Sequence, residues 1–147
     1  MIIRRIDENN KKITICTAKE FIDILSDKIY NSGISQVYHR PNNQFQNIDF
    51  AFANQYGTTE ISEDVSLDDI EECSWFGIKS ITSFNSSQLD LICDYYGGGA
   101  IHVISFVGDE THHEIHNKIA NFICDSVADI LGRLNPDEYL YIENLED

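Results

Sequence analysis

From Ile115 onward the apolar residues recur in steps of three and four, at Ile115, Ile119, Phe122, Ile123, Val127, Ile130, Leu131 and Leu134. That spacing draws one stripe along an α-helix and predicts a long amphipathic helix in the last third of the chain. Thr111 followed three residues later by Glu114 reads as a capping box, and Asp109, Glu110 and Glu114 put negative charge where the helix dipole is positive. A second capping box, Thr17 with Glu20, opens a helix whose apolar positions are Phe21, Ile22, Ile24, Leu25 and Ile29 and which Asn31-Ser32-Gly33 ends.

The other patterned segments read as strands. "IIRRI" and "KKITIC" flank the polar Asp7 to Asn10 and predict a hairpin; "ISQVYHR" is closed by Pro41-Asn42-Asn43, and "IDFAFA" alternates with Ile48, Phe50 and Phe52 on one face. "TTEIS" and "SITSF" extend the strand-rich middle. "QLDLICDYY" and "AIHVISFV" form a hairpin around Gly97, Gly98 and Gly99, where glycine supplies positive φ in a turn. "AIHVISFV" is apolar on both faces apart from His102 and Ser105, which predicts a central strand; "EYLYIEN" alternates like an edge strand. The whole predicts an α+β fold, a mainly antiparallel sheet with a helix near each end packed on it, in one domain spanning residues 1–147. Strict β-α-β alternation is missing and the triple glycine lacks the spacing of a phosphate-binding loop, so a doubly wound nucleotide-binding fold is disfavoured.

Charge changes this picture most. The net charge is −15, and it is lopsided: residues 1 to 57 hold seven Lys/Arg against six Asp/Glu, whereas residues 58 to 147 hold three against nineteen. Such a surface repels nucleic-acid phosphates and anionic lipid and steers toward a basic partner. No apolar run approaches twenty residues, and "MIIRRIDENN" reaches charge too early for a signal peptide; the expectation is a cytoplasmic protein without a membrane span. Cys16, Cys73, Cys93 and Cys124 lie far apart with no C-x-x-C pair, which predicts buried thiols; a catalytic cysteine with His102 or His113 is the competing reading.

Candidate chemistry gathers in three places. "GDETHHEIHNK" sets His112 and His116 four apart on one helix face, a spacing that two ligands of one metal would accept, with Asp109 nearby. The zinc-protease pattern H-E-x-x-H is one residue too long for His113-Glu114-Ile115-His116, and a polar first turn facing water explains the same residues. Glu63, Asp64, Asp68, Asp69, Glu71 and Glu72, followed at once by Trp75 and Phe76, combine carboxylates with an aromatic anchor as an interface for a basic protein does. Tyr95 and Tyr96 with Asp94, and Tyr139 and Tyr141 with Asp137, Glu138 and Glu143, make a second aromatic and acidic group.

In its acidic run "EDVSLDDIEECSWFG", in "DYYGGGAIHVISF" and in the tail "NPDEYLYIENLED", the chain resembles the bacterial immunity proteins of contact-dependent inhibition and other polymorphic toxin systems. The likeness is one of composition. It implies a non-enzymatic protein, without a cofactor, that neutralises a cognate toxin, often a basic nuclease domain. No residue is carried over from the family; the contact expected from the chain's own acidic and aromatic residues is Glu63, Asp64, Asp68, Asp69, Glu71, Glu72, Trp75, Tyr95 and Tyr96. Two alternatives stand beside it: a metal-dependent hydrolase built on Asp109, His112 and His116, and an acidic regulatory subunit with another basic partner.

Overall fold

The computed structural model describes residues 1–42, 47–53, 75–78, 102–123, 137 and 139–145. They form β1 (Ile3–Ile6), β2 (Lys12–Thr17), α1 (Ala18–Ser32), β3 (Gln36–Asn42), β4 (Asn47–Ala53), β5 (Trp75–Ile78), β6 (His102–Ser105), α2 (His112–Ile123) and β7 (Tyr139–Glu143). Among the described residues the strands make one seven-stranded sheet in the order β1-β2-β7-β5-β4-β3-β6, with every pairing antiparallel. The α+β fold with a helix toward each end is thus the observed one.

Local chemistry sets the element ends. The Asp7 carboxylate accepts the N–H groups of Asn9 and Lys11, both at 2.8 Å, and Asn10 takes φ 62°, so the hairpin turns where the polar run predicts. At the start of α1 the Glu20 N–H donates to Thr17 Oγ1 at 3.2 Å and the Thr17 N–H donates to Glu20 Oε1 at 3.0 Å. That Thr17 amide, first among several causes, holds the Glu20 carboxyl below the ordinary carboxylate range. Gly33, at φ 65°, ends the helix in the left-handed region that glycine enters without strain. Thr111 and Glu114 repeat the reciprocal cap at α2, at 2.8 and 3.2 Å.

Two strands differ from the sequence reading. "AIHVISFV" contributes β6, which pairs with β3 and ends the sheet among the described residues, its expected hairpin partner "QLDLICDYY" lying outside them. The expected edge strand "EYLYIEN" contributes β7, which lies inside the sheet between β2 and β5. β5, over Trp75 to Ile78, was not foreseen as a strand, because Gly77 interrupts its β-formers and an acidic run precedes it. "TTEIS", "SITSF", "QLDLICDYY" and the continuation of the α2 stripe past Ile123 lie outside the described residues.

The core forms between the two helices and one face of the sheet. Phe21, Leu25 and Ile29 of α1 and Ile115, Ile119 and Phe122 of α2 meet Cys16, Val37, Ile48, Phe50, Phe76, Ile78, Leu140 and Ile142. The ring of Phe21 stands edge-on to Phe50 and Phe76, which stack on each other at 5.7 Å. His39 is fully buried in this layer, with the rings of Phe50 and Phe122 at 5.7 and 5.1 Å. Burial pushes the Cys16 thiol up to about 11, with the Glu20 charge adding to it, so the cysteine packs as a small apolar group.

The register places Ile13, Trp75, Gly77, Asn47, Asp49, Ala51, Gln36, Tyr38 and Arg40 on the face turned away from the helices. This face is also buried at its centre, where Tyr38 and Ala51 are inaccessible and Gln36, Asn47 and Asp49 nearly so. Several polar groups here pair with each other: Tyr38 Oη donates to Gln36 Oε1 at 2.9 Å and Arg40 Nε donates to Asp49 Oδ2 at 3.4 Å, whereas Asn47 Oδ1 is buried with no hydrogen-bond partner among the described residues.

Candidate functional site

The helix caps bring the polar ends of the two amphipathic helices together. α1 and α2 bury opposite stripes in the same core, which leaves Asp23 and Asp27 of α1 facing His116 and His112 of α2. His112 Nε2 lies 2.5 Å from Asp27 Oδ1, and His116 Nε2 lies 2.8 Å from Asp23 Oδ1. Both pairs have the helical spacing of four, so they form two rungs of one ladder across the helix interface. Tyr30 stands edge-on to the His112 ring at 5.3 Å, and Asn117 is in hydrogen-bond contact with His113 at 3.2 Å.

This geometry gives the histidine cluster an explanation that the spacing alone left open. His112 and His116 do share a face, but each directs its Nε2, one of the two ring nitrogens able to hold a metal, to an α1 carboxylate. Among the described residues, no three His, Cys, Asp or Glu side chains gather as metal ligands do. Asp109 is exposed in the loop before α2. Asp23 and Asp27 were missed as partners, although their spacing of four on the polar side of α1 mirrors that of the histidines.

Beside the ladder lies a groove of about 520 Å³ between the end of α1, the Gly33 to Ser35 turn and the loop leading into α2; Ile29, Ile34, Phe106 and Ile115 are among the residues lining it. Tyr30 and Val107 stand on its wall 53% and 61% exposed, which is unusual for side chains of that size in an apolar concavity. Among the described residues Glu110 is its one acidic lining residue, holding the Lys118 ammonium and accepting the Val107 N–H at 3.2 Å, and Asp109 and Glu114, next in sequence to lining residues, are exposed. Lys118 also donates to the Ser105 carbonyl at 3.3 Å, so that cation is anchored to the protein itself.

Trp75 belongs to a different surface. It lies half-buried on β5, on the sheet face away from the helices, with the Arg40 guanidinium 4.0 Å over its ring while the same guanidinium reaches Asp49. Arg stacked on Trp and bridged to a carboxylate is a compact internal cluster. Glu63, Asp64, Asp68, Asp69, Glu71, Glu72, Tyr95 and Tyr96 lie outside the described residues. Tyr141 lies under Arg5, whose guanidinium is 5.8 Å from its ring, and Glu143 pairs with Lys11 at 3.5 Å.

No helix among the described residues is long and apolar enough to cross a membrane. Comparison with protein-family models, with curated proteins and with solved structures finds no match for the chain.

Proposed function

We propose that the protein acts by stoichiometric binding, as an immunity-type inhibitor that docks a basic toxin domain of the nuclease kind and neutralises it without turnover. The observation that carries this reading is the union of the −15 net charge with an apolar groove that exposes Tyr30 and Val107, the exposed Asp109 and Glu114 adjoining its lining residues in sequence. Aromatic anchors in a concavity supply affinity, and the surrounding carboxylates speed encounter with a positively charged surface. The carboxylates stand in for the phosphates that such a nuclease binds.

The acidic run from Glu63 to Glu72 with Trp75, together with Tyr95 and Tyr96, is the second proposed contact. Because Trp75 sits on the opposite sheet face from the groove, mutation separates the two. The experiment is a pull-down from the producing cells at low and high salt, with captured proteins assayed for nuclease activity. Wild type is expected to hold a basic nuclease domain in an inactive complex. Tyr30→Ala with Val107→Asp is expected to weaken capture by at least tenfold if the groove is the contact; Asp68→Asn with Asp69→Asn does so if the acidic run is. A captured nuclease that stays fully active, or the absence of any basic partner, would overturn the proposal.

A further inference from the structure

The two exposed side chains of the groove wall stand on backbones of different strength. Tyr30 belongs to α1, which its helical bonds and the core stripe of Phe21, Leu25 and Ile29 hold in place, and its ring stands edge-on to His112 of α2 at 5.3 Å. Val107 lies just past the end of β6, in the loop to α2, and is 61% exposed. Exposed loops open locally far more readily than packed helices. A tight turn holds this one: the Glu110 N–H donates to the Val107 carbonyl at 3.2 Å, and the Val107 N–H donates back to Glu110 Oε2 at 3.2 Å. Glu110 thus closes the turn with both its backbone and its side chain.

That carboxylate is in turn held from α2. Lys118 pairs with Glu110 Oε1, donates to the Ser105 carbonyl at 3.3 Å and lies 5.6 Å from the centre of the Phe106 ring. The ammonium therefore ties the last residue of β6 to the far end of the turn. Phe106 between them is fixed as well, its N–H donating to the Ser35 carbonyl at 2.7 Å. The Glu110 side chain is only 9% exposed, so a carboxylate deprived of this cation keeps its desolvation cost and is driven out toward water. Moving outward breaks its bond to Val107. Lys118 itself stands outside the lining of the groove.

We propose that Lys118 is a positioning residue for the groove: through Glu110 it fixes the Val107 turn, and so holds that wall in its receiving shape before a partner arrives. This role rests on the groove being the contact surface of the inhibitor. Order already present in the free molecule need not be created on binding, so a pre-set wall raises affinity without adding a contact. The latch also divides the work of the acidic residues. Glu110 is occupied by Lys118, which leaves a partner's cations to the exposed Asp109 and Glu114 while its apolar side chains meet Tyr30, Val107 and Ile34. Lys118→Met sets the two effects against each other. It leaves the molecule one unit more negative, which favours a basic partner, whereas loss of the wall disfavours the same partner.

The test has two arms. In the free, isotope-labelled protein, hydrogen exchange is followed at the Val107 and Glu110 amides, with the Ile115 amide, bonded to the Thr111 carbonyl, as the control for α2. Lys118→Met is expected to speed exchange at Val107 at least tenfold and to leave Ile115 within twofold of wild type. Lys118→Arg keeps the cation and is expected to stay near wild type. In a Glu110→Ala background Lys118→Met is expected to add little, because the two residues act through one bond. Wild-type protection of Val107 in Lys118→Met overturns the proposal, and so does equal acceleration at Ile115, which would make Lys118 a support of α2 as a whole. The second arm offers each variant the basic nuclease domain that wild type captures. Lys118→Met is expected to weaken capture at least fivefold with the salt dependence unchanged, and Lys118→Arg to restore it; capture as tight as wild type or tighter overturns the positioning role. If wild type captures no basic domain, the toxin-binding reading fails by itself, and exchange at Val107 alone decides whether Lys118 holds the turn.

Discussion

The two faces of the sheet are both buried, yet they are held by different forces. Toward the helices the contacts are almost wholly apolar, with Phe21, Phe50 and Phe76 at the centre and aliphatic residues of α1 and α2 around them. Away from the helices the sheet presents Gln36, Tyr38, Arg40, Asp49 and Trp75, joined by hydrogen bonds, an ion pair and a cation–π stack, with Asn47 buried beside them. The first face is stabilised in proportion to area and tolerates shape-preserving change. The second depends on geometry, since a polar group that loses its partner keeps its desolvation cost.

The comparison is broken most severely on the apolar side. Phe50→Ala deletes a ring that meets Phe21 and Phe76, and its cost is expected at about 3 to 5 kcal/mol by urea denaturation. On the polar side the sharpest lever is Gly77. A Cβ built there meets Asn47 Nδ2 at 2.4 Å and Asp49 Oδ1 at 3.0 Å, so Gly77→Ala forces those side chains to move. A loss of about 1 to 3 kcal/mol is expected. Adding Asn47→Ala should return part of it, a coupling that a double-mutant cycle measures directly.

Smaller effects separate charge from shape. Arg40→Lys keeps the charge near Asp49 but loses the flat stack on Trp75; about 0.5 to 1 kcal/mol and an altered tryptophan fluorescence spectrum are expected. An unchanged spectrum would mean that the indole does not depend on the guanidinium. The last prediction concerns Cys16, whose folded value of about 11 exceeds the ordinary 9.0. Its contribution is therefore fully present below pH 9 and is lost as pH rises through about 11. Cys16→Ala is expected to flatten that alkaline limb of the stability profile relative to wild type.

The same contrast explains what the sequence allowed to be read. α1 and α2 were legible because their signals are local: reciprocal Thr/Glu caps, a terminal glycine and stripes at helical spacing. The β1–β2 hairpin, β3 and β4 were legible through turn chemistry and alternation. The alternation of "EYLYIEN" suits an edge strand, whereas β7 lies between β2 and β5, with Arg5 of β1 over the Tyr141 ring and Lys11, just before β2, paired with Glu143. The partners of His112 and His116 were hidden for a related reason. Asp27 and Asp23 lie 85 and 93 residues away in sequence, and local spacing carries no information about which polar faces two helices turn to each other.

The position of β7 has a consequence for how the chain reaches this state. Among the described residues the β1–β2 hairpin joins the rest of the sheet through β7, whose neighbours are β2 on one side and β5 on the other. About 120 residues of sequence separate β2 from β7, so β7 is synthesised long after β2 and the central seam closes only then. Contacts so distant in sequence slow folding, and until the seam closes the facing edges of β2 and β5 remain open to other chains.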